Sequence, residues 1–410
     1  MPRTLQEKLA ILSDAAKYDA SCASSGTTRR DSRAGGVGSA GGSGICHAYT
    51  PDGRCISLLK ILMTNFCIYD CVYCVNRVSS RVERARFTPE EVVTLTLEFY
   101  RRNYIEGLFL SSGIIRSPDD TMTDMVRIAR MLREEHGFKG YIHLKTIPEA
   151  APELITEAGR YADRLSINVE LPKDDSVARL APQKQPKGIR AAMSHVRETR
   201  AASKVASHRG KRPARFAPAG QSTQMIVGAD GTSDRDILGT STRLYQGYKL
   251  KRVYYSAFSP IPDSSAMLPL IRPPLIREHR LYQADWLMRF YGFDAAEITS
   301  STKGGNLDLQ IDPKLAWALA HRAQFPVDVA RAPRELLLRI PGFGTRTVQR
   351  ILAARRSGPL RYADLIRIGA RVKQAEPFIT LPDWSPGALT DSAGLRARYT
   401  PPPEQLSLFA

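Results

Sequence analysis

Short apolar runs alternate along this chain with longer stretches whose apolar residues recur every three or four positions. The runs lie at 56–63, 107–111, 141–146, 164–171, 223–227 and 252–258. Each has the length of a strand and is rich in β-branched, leucine or aromatic residues. Between them the longer period predicts helices at 88–103, 121–136, 152–162, 187–201, 233–245 and 275–291. Thr88-Pro-Glu-Glu91 reads as a capping box with proline at the first helical position, and Gly137 as a stop signal. A further helix is expected over 4–20, from Leu5, Leu9, Leu12 and Ala16. Six strands, each followed by a helix, predict a parallel α/β sheet with right-handed crossovers. In such folds the chemistry sits at the C-terminal ends of the strands.

Other stretches lack this rhythm. Residues 24–45 are Ser/Gly/Arg-rich, with Arg29, Arg30 and Arg33 near the glycines, and read as a flexible linker. The expected domains are an N-terminal helix and linker (1–54), the α/β part (55–300), a small helical domain (301–375) and a flexible tail (376–410). No run of eighteen apolar residues and no signal-peptide core is present, which argues against a membrane span. The 59 basic and 41 acidic residues give a net charge of +18, which points toward a polyanionic partner. Eight lysines and arginines from Arg190 to Arg215, with His195 and His208, add a face suited to a phosphate backbone.

The candidate chemistry begins just after the first strand. Cys67-Ile-Tyr-Asp-Cys71-Val-Tyr-Cys74 places three thiols in eight residues, at C-x3-C-x2-C spacing. Three thiolates hold three corners of a [4Fe–4S] cube and leave one iron open for a ligand. Tyr73 sets a flat side chain beside that iron. The competing reading is a structural zinc site, which normally adds two more ligands at a distance. Cys22, Cys46 and Cys55, with His47, are irregularly spaced and read as free thiols or as a second metal site. An oxygen-sensitive cluster needs a reducing compartment, so a cytoplasmic, nucleoid-associated location is expected.

The cysteine spacing, the aromatic before the last cysteine and the place after a first strand resemble the radical S-adenosylmethionine (SAM) superfamily. That resemblance implies a partial (β/α)6 barrel, a [4Fe–4S] cluster and SAM. It also implies that Ser111-Ser112-Gly113, ending the second strand, offers backbone carbonyls to the amino group of SAM. Two serines and a glycine stand where the family commonly has two glycines and an acid. Asn168 and Glu170 share a face of the fourth strand by its two-residue period and are candidates for the ribose. Gly228, in Gln224-Met-Ile-Val-Gly228, loosely resembles the adenine-binding strand. His143 and Lys145 share a face of the third strand and are candidates for SAM or substrate. Arg179 and Lys184 are candidates for the SAM carboxylate or a DNA phosphate.

Two C-terminal signals bear on the partner. The stretch 336–352, with Ile-Pro341-Gly342-Phe-Gly344 at its centre, closely resembles a helix–hairpin–helix motif. Its glycines allow a tight turn whose N–H groups can meet a DNA phosphate, and Arg346, Arg350, Arg355 and Arg356 add charge. A second, degenerate copy is expected over 360–373. The last residues, Gln405-Leu406-Ser-Leu408-Phe409, look like the peptide that docks bacterial repair proteins on the sliding clamp.

Residues 5–370 together resemble a bacterial family described as DNA modification or repair radical SAM proteins. The implied activity is generation of a 5′-deoxyadenosyl radical that takes hydrogen from a nucleotide or lesion. The electron would come from a flavodoxin- or ferredoxin-like donor, and the target base would be flipped out or single-stranded. The alternatives are radical SAM chemistry on RNA, and a non-catalytic, clamp-tethered iron–sulfur adaptor.

Overall fold

The computed structural model describes residues 3–16, 45–49, 55–208, 215–261 and 264–400. Cys22, Arg29, Arg30, Arg33, residues 209–214 and the tail peptide at 405–409 lie outside the described residues.

One sheet organises the first unit. Its strands are β1 (Ile45–Tyr49), β2 (Cys55–Leu62), β3 (Gly107–Ser111), β4 (Tyr141–Lys145), β5 (Arg164–Ser166), β6 (Gln221–Val227) and β7 (Arg252–Ala257), in that spatial order. The neighbours from β2 to β7 pair in parallel, and β1 lies antiparallel on β2. The six parallel strands are those expected, curled into a half-barrel. β1 was not expected: it holds Cys46 opposite Leu58, at the edge of the glycine-rich stretch. β5 is shorter than expected and ends at Ser166 rather than near Leu171.

The helices following these strands are α2 (Pro89–Arg101), α3 (Pro118–Arg130), α4 (Pro152–Tyr161), α5 (Asp174–Leu180), α6 (Pro186–His208) and α7 (Asp234–Tyr248); α1 (Leu5–Ala16) precedes the sheet. The capping box of α2 is present: the Glu91 N–H donates to Thr88 Oγ1 at 3.2 Å, and the Thr88 N–H to the Glu91 carboxylate at 2.8 Å.

Strand alternation divides the sheet into two faces. Leu59, Ile61, Leu108, Leu110, Ile142, Leu144, Met225, Val253 and Tyr255 share one face and are all buried. Gln221 on this face donates to the carbonyls of Met193 in α6 and Tyr248 in α7, which marks it as the helix-covered side. The opposite, inner face is polar. Lys60, Phe109, His143 and Arg164 stand in register across β2 to β5. Lys60 lies over the Phe109 ring, and the Phe109 and His143 rings are 4.3 Å apart. One layer toward the strand ends come Ser111, Lys145, Ser166 and Ser222. The alternation therefore separates a dry core outside the sheet from a hydrogen-bonding interior.

The chain divides into two compact units, 1–232 with 243–273, and 233–242 with 274–410. The division falls earlier than the expected boundary at 300. Helix α8 (Leu275–Phe290) groups with the C-terminal helices α9 (Ala295–Thr299), α10 (Pro313–Ala320), α11 (Arg334–Arg339), α12 (Thr345–Ala354), α13 (Tyr362–Arg367) and α14 (Val372–Ala375). The core of this unit forms around Trp317, which meets Phe293, His321 and Phe325. Residues 376–400, expected to be a flexible tail, are packed instead. β9 (Ile379–Thr380) pairs with β8 (Val327–Asp328), the Trp384 ring stacks on Tyr362 at 4.7 Å, and Leu395 is fully buried. Their aromatic and leucine side chains supply the apolar area that a proline-rich reading of the tail overlooked. Among the described residues no helix is long and apolar enough to cross a membrane.

Candidate active site

The three cysteines sit on a loop between β2 and α2, at the C-terminal end of the first parallel strand. A bridge between Thr64 and Arg86 closes the loop at its base. Asn65 ties the two sides, donating to the Glu83 carbonyl and accepting from the Ala85 N–H, each at 2.8 Å. Arg84 holds the interior: its guanidinium donates to the carbonyls of Asn65, Asn76, Arg77 and Ser80. Asp70 accepts from the N–H and hydroxyl of Ser79. The result is a rigid loop that owes little to regular secondary structure.

The sulfurs are met by backbone donors. Tyr69 N–H (3.4 Å) and Ile114 N–H (3.5 Å) point at Cys67 Sγ, and Asn76 N–H (3.4 Å) at Cys74 Sγ. Cys71 is buried among Leu171, Val177, Leu180, Phe258 and Leu268. Burial pushes the Cys71 thiol up to about 12 and Cys74 to about 11; Lys184 opposes both shifts, and the thiols also feel one another. Thiolates here need a metal to offset the cost of ionisation. Among the described residues, no three His, Cys, Asp or Glu side chains converge on a single ion. Three thiols on one short loop, two of them met by backbone N–H donors, fit three corners of a [4Fe–4S] cube. The same absence of convergence covers Cys46 and Cys55; the His47 side chain is outside the described residues.

The Ser111-Ser112-Gly113 turn lies directly against this loop. Gly113 N–H donates to the Thr64 carbonyl at 2.8 Å, and Ile68 N–H to the Ile114 carbonyl at 2.8 Å. A Cβ on Gly113 would stand 2.2 Å from the Phe66 carbonyl oxygen, so only glycine allows the two segments to approach. Segment 180–185 touches the loop from another side, through Val72 N–H to the Leu180 carbonyl (2.8 Å) and Asp70 N–H to Gln183 Oε1 (3.4 Å).

Glu170 is placed differently from the sequence expectation. It lies beyond the end of β5 at φ +64°, so the two-residue period does not carry from Asn168 to it. Its carboxylate pairs with Lys184 Nζ. Burial alone would lower the lysine pKa, but Glu170, Cys71 and Glu149 together hold it above its ordinary value. Lys184 is therefore a cation fixed beside the cysteines. The Tyr73 hydroxyl is buried beside Glu170 and, through burial first, titrates well above its usual range. Asn168 is buried, with its amide 3.5 Å from Gln224. Gly228, at φ +80°, lies under Pro273. Arg179 is exposed. Arg84, Glu149 and the Glu170–Lys184 pair are features that no local motif announces.

In the second unit, two pairs of short helices lie over the stretches where hairpins are expected from the sequence. Gly342 (φ +84°) turns the chain between α11 and α12, and Gly369 (φ +78°) between α13 and α14. Arg350 donates to the Ile368 carbonyl at 2.8 Å, joining the second helix of one pair to the turn of the other. Gly344 caps α12 without a side-chain hydrogen bond, and Arg346 is exposed one residue inside the helix. Arg355 is spent on the carbonyls of Ala332 and Val329, so it braces the fold.

Lys314 donates to the Phe343 carbonyl of the first turn at 2.6 Å, its nitrogen 4.9 Å from the Tyr291 ring centroid. Burial lowers this lysine from 10.5 to about 7, with Asp312 resisting and Arg339 assisting. Between about pH 7 and 10.5 the unfolded chain then carries the extra proton, so stability rises with pH over that window. Lys314→Met is expected to flatten this rise, which thermal unfolding followed across the window would register.

Residues 61–242 match the model of the Radical SAM superfamily. No curated protein matches the chain in sequence. Among solved structures it is similar to methylornithine synthase PylB, at 15% identity and TM-score 0.42 over 56% of this chain and 60% of that one. It is similar to the [FeFe]-hydrogenase maturase HydG from Carboxydothermus hydrogenoformans, at 14% identity and TM-score 0.41 over 55% of this chain and 50% of that one. A third is coproporphyrinogen III oxidase HemN from Escherichia coli, a radical SAM enzyme, at 17% identity and TM-score 0.35 over 56% and 52%. The chain spans about half the length of these structures. With the cysteine loop at the mouth of a parallel half-barrel, residues 61–242 are a radical SAM domain, of the enzyme class that works with a [4Fe–4S] cluster and SAM.

Proposed function

We propose that the chain is a radical SAM enzyme that modifies or repairs DNA. Cys67, Cys71 and Cys74 hold the cluster, and Ser111, Ser112, Gly113, Asn168 and Gly228 border the SAM site. When bound, cluster and SAM together supply a 5′-deoxyadenosyl radical on receipt of one electron from a flavodoxin- or ferredoxin-like donor. The chain's own residues hold the thiolates in place, keep Lys184 beside them and present a polar interior to the ligand.

The observation that carries the DNA reading is the paired hairpins of the second unit. Gly342 and Gly344 leave the start of α12 without a side-chain cap, beside exposed Arg346. Helix starts of this kind bind phosphate without reading sequence. The net charge of +18 supports a polyanion. The peptide at Gln405, Leu406, Leu408 and Phe409 would tether the protein to the sliding clamp, which puts the enzyme at newly replicated DNA.

The test is anaerobic. The protein is reconstituted with iron and sulfide, reduced and given SAM, and 5′-deoxyadenosine is measured with DNA, with RNA and with neither. Stimulation by DNA supports the proposal; stimulation by RNA alone replaces it with RNA modification. A full cluster with no SAM cleavage under any condition leaves the adaptor reading. Arg346→Glu should weaken DNA binding uniformly across sequences and lower the salt dependence by about one counterion, while DNA-independent SAM cleavage is unchanged.

A further inference from the structure

We infer that Glu149 is a SAM-binding residue, whose carboxylate receives a cationic group of the cofactor. This deepens the reading of residues 61–242 as a radical SAM domain and does not depend on DNA being the substrate.

Glu149 lies four residues beyond the end of β4, at the same end of the sheet as the cysteine loop. Both of its carboxylate oxygens are buried, and neither has a hydrogen-bond partner. The backbone N–H groups of Glu149 itself and of Gln185 act on the carboxylate, but neither completes a hydrogen bond to it. Its charged and titratable neighbours are Lys184, Glu170 and Tyr69. Lys184 is the cation among them, and its nitrogen is bonded to Glu170 while its charge also faces Cys71. Two carboxylates thus face one lysine, and the geometry awards the lysine to Glu170.

A buried carboxylate is costly unless a donor or a cation meets it. Tyr69 of the cysteine loop interacts with Glu149, and Lys184 interacts with both Glu149 and Cys71, so a charge supplied at Glu149 stands on the cysteine-loop side of the sheet. SAM carries two positive centres, its α-ammonium and its sulfonium. Either one, placed against Glu149, supplies the missing partner.

The experiment is equilibrium dialysis of SAM, and separately of S-adenosylhomocysteine, against anaerobically reconstituted wild type and Glu149→Gln. The glutamine keeps shape and removes charge. The expected result is unchanged iron and sulfide content with SAM binding weakened about 10- to 100-fold, the range for one charged hydrogen bond. Equal weakening for S-adenosylhomocysteine, which lacks the positive sulfur, places the ammonium at Glu149. Weakening confined to SAM places the sulfonium there. Wild-type affinity for both ligands in the variant overturns the inference. Should the variant load less iron, SAM binding is compared between the two cluster-free proteins, and equal affinity again overturns it. The DNA proposal fails through a different readout, the absence of DNA-dependent 5′-deoxyadenosine, with SAM binding intact.

Discussion

Cys71→Ala should leave a folded protein that holds little iron and cleaves no SAM. Cys71 is the most buried of the three loop cysteines and packs among Leu171, Val177, Leu180 and Leu268. Losing its sulfur from that cluster costs only about 1 kcal/mol of packing, so the fold survives. The metal site does not, because two remaining thiolates cannot hold three corners of a cube. Lys184 would then face a pocket with one negative charge fewer. Iron and sulfide content, with 5′-deoxyadenosine as product, measure the loss. Cys55→Ala is the control: Cys55 is exposed at the start of β2, and its variant should load and react as the wild type. Equal loss in both variants would mean that the defect is one of handling and not of the site.

The second large effect is expected at Gly113. An alanine there sets its methyl 2.2 Å from the Phe66 carbonyl oxygen, and both neighbours are backbone that cannot swing away. Either the Ser111-Ser112-Gly113 turn or the start of the cysteine loop must move. The stability cost is about 3 kcal/mol, the upper end of overpacking. The functional cost is separate. The displacement pulls the Ile114 N–H from Cys67 Sγ and the Gly113 N–H from the Thr64 carbonyl. Cluster loading should fall together with stability, whereas Ser112→Ala, whose hydroxyl reaches only its neighbour's carbonyl, should change neither. Calorimetry and iron content on the same samples separate the two costs. An unchanged melting temperature in Gly113→Ala would show that the two segments do not make this contact.

The parallel strands were legible because each is a short apolar run between capping and stop signals, and short-range pattern is what fixes a buried strand. The cysteine loop was legible because its ligands are close in sequence. The site features missed depend on residues far apart in the chain. Arg84 meets its four carbonyls only once the loop has closed, and nothing in Arg-Val-Glu-Arg84 predicts it. The strand period places Glu170 on the face of Asn168, whereas β5 stops at Ser166 and Glu170, at positive φ, pairs with Lys184. Glu149, after Ile147-Pro148, looks like an ordinary helix-start acid; its burial comes from segment 180–185. β1 was missed because five residues beside a glycine-rich stretch carry too little pattern to stand out. Composition weighs prolines and not the contacts of Trp384 and Leu395, so it predicts a tail over 376–400 where the chain is packed.

The Lys184–Glu170 pair also has a consequence for how the protein is made. Lys184 follows Cys74 by about 110 residues, which at typical synthesis rates is about 5–20 s of ribosome time. During that interval the three thiols are outside the ribosome without the segment that later covers them, and without the lysine that offsets their charge. A nascent chain in that state exposes reactive sulfur to oxidant and to stray metal. Slowing translation between codons 74 and 184 should therefore worsen the yield, through oxidised or proteolysed chains, more than slowing it after codon 184.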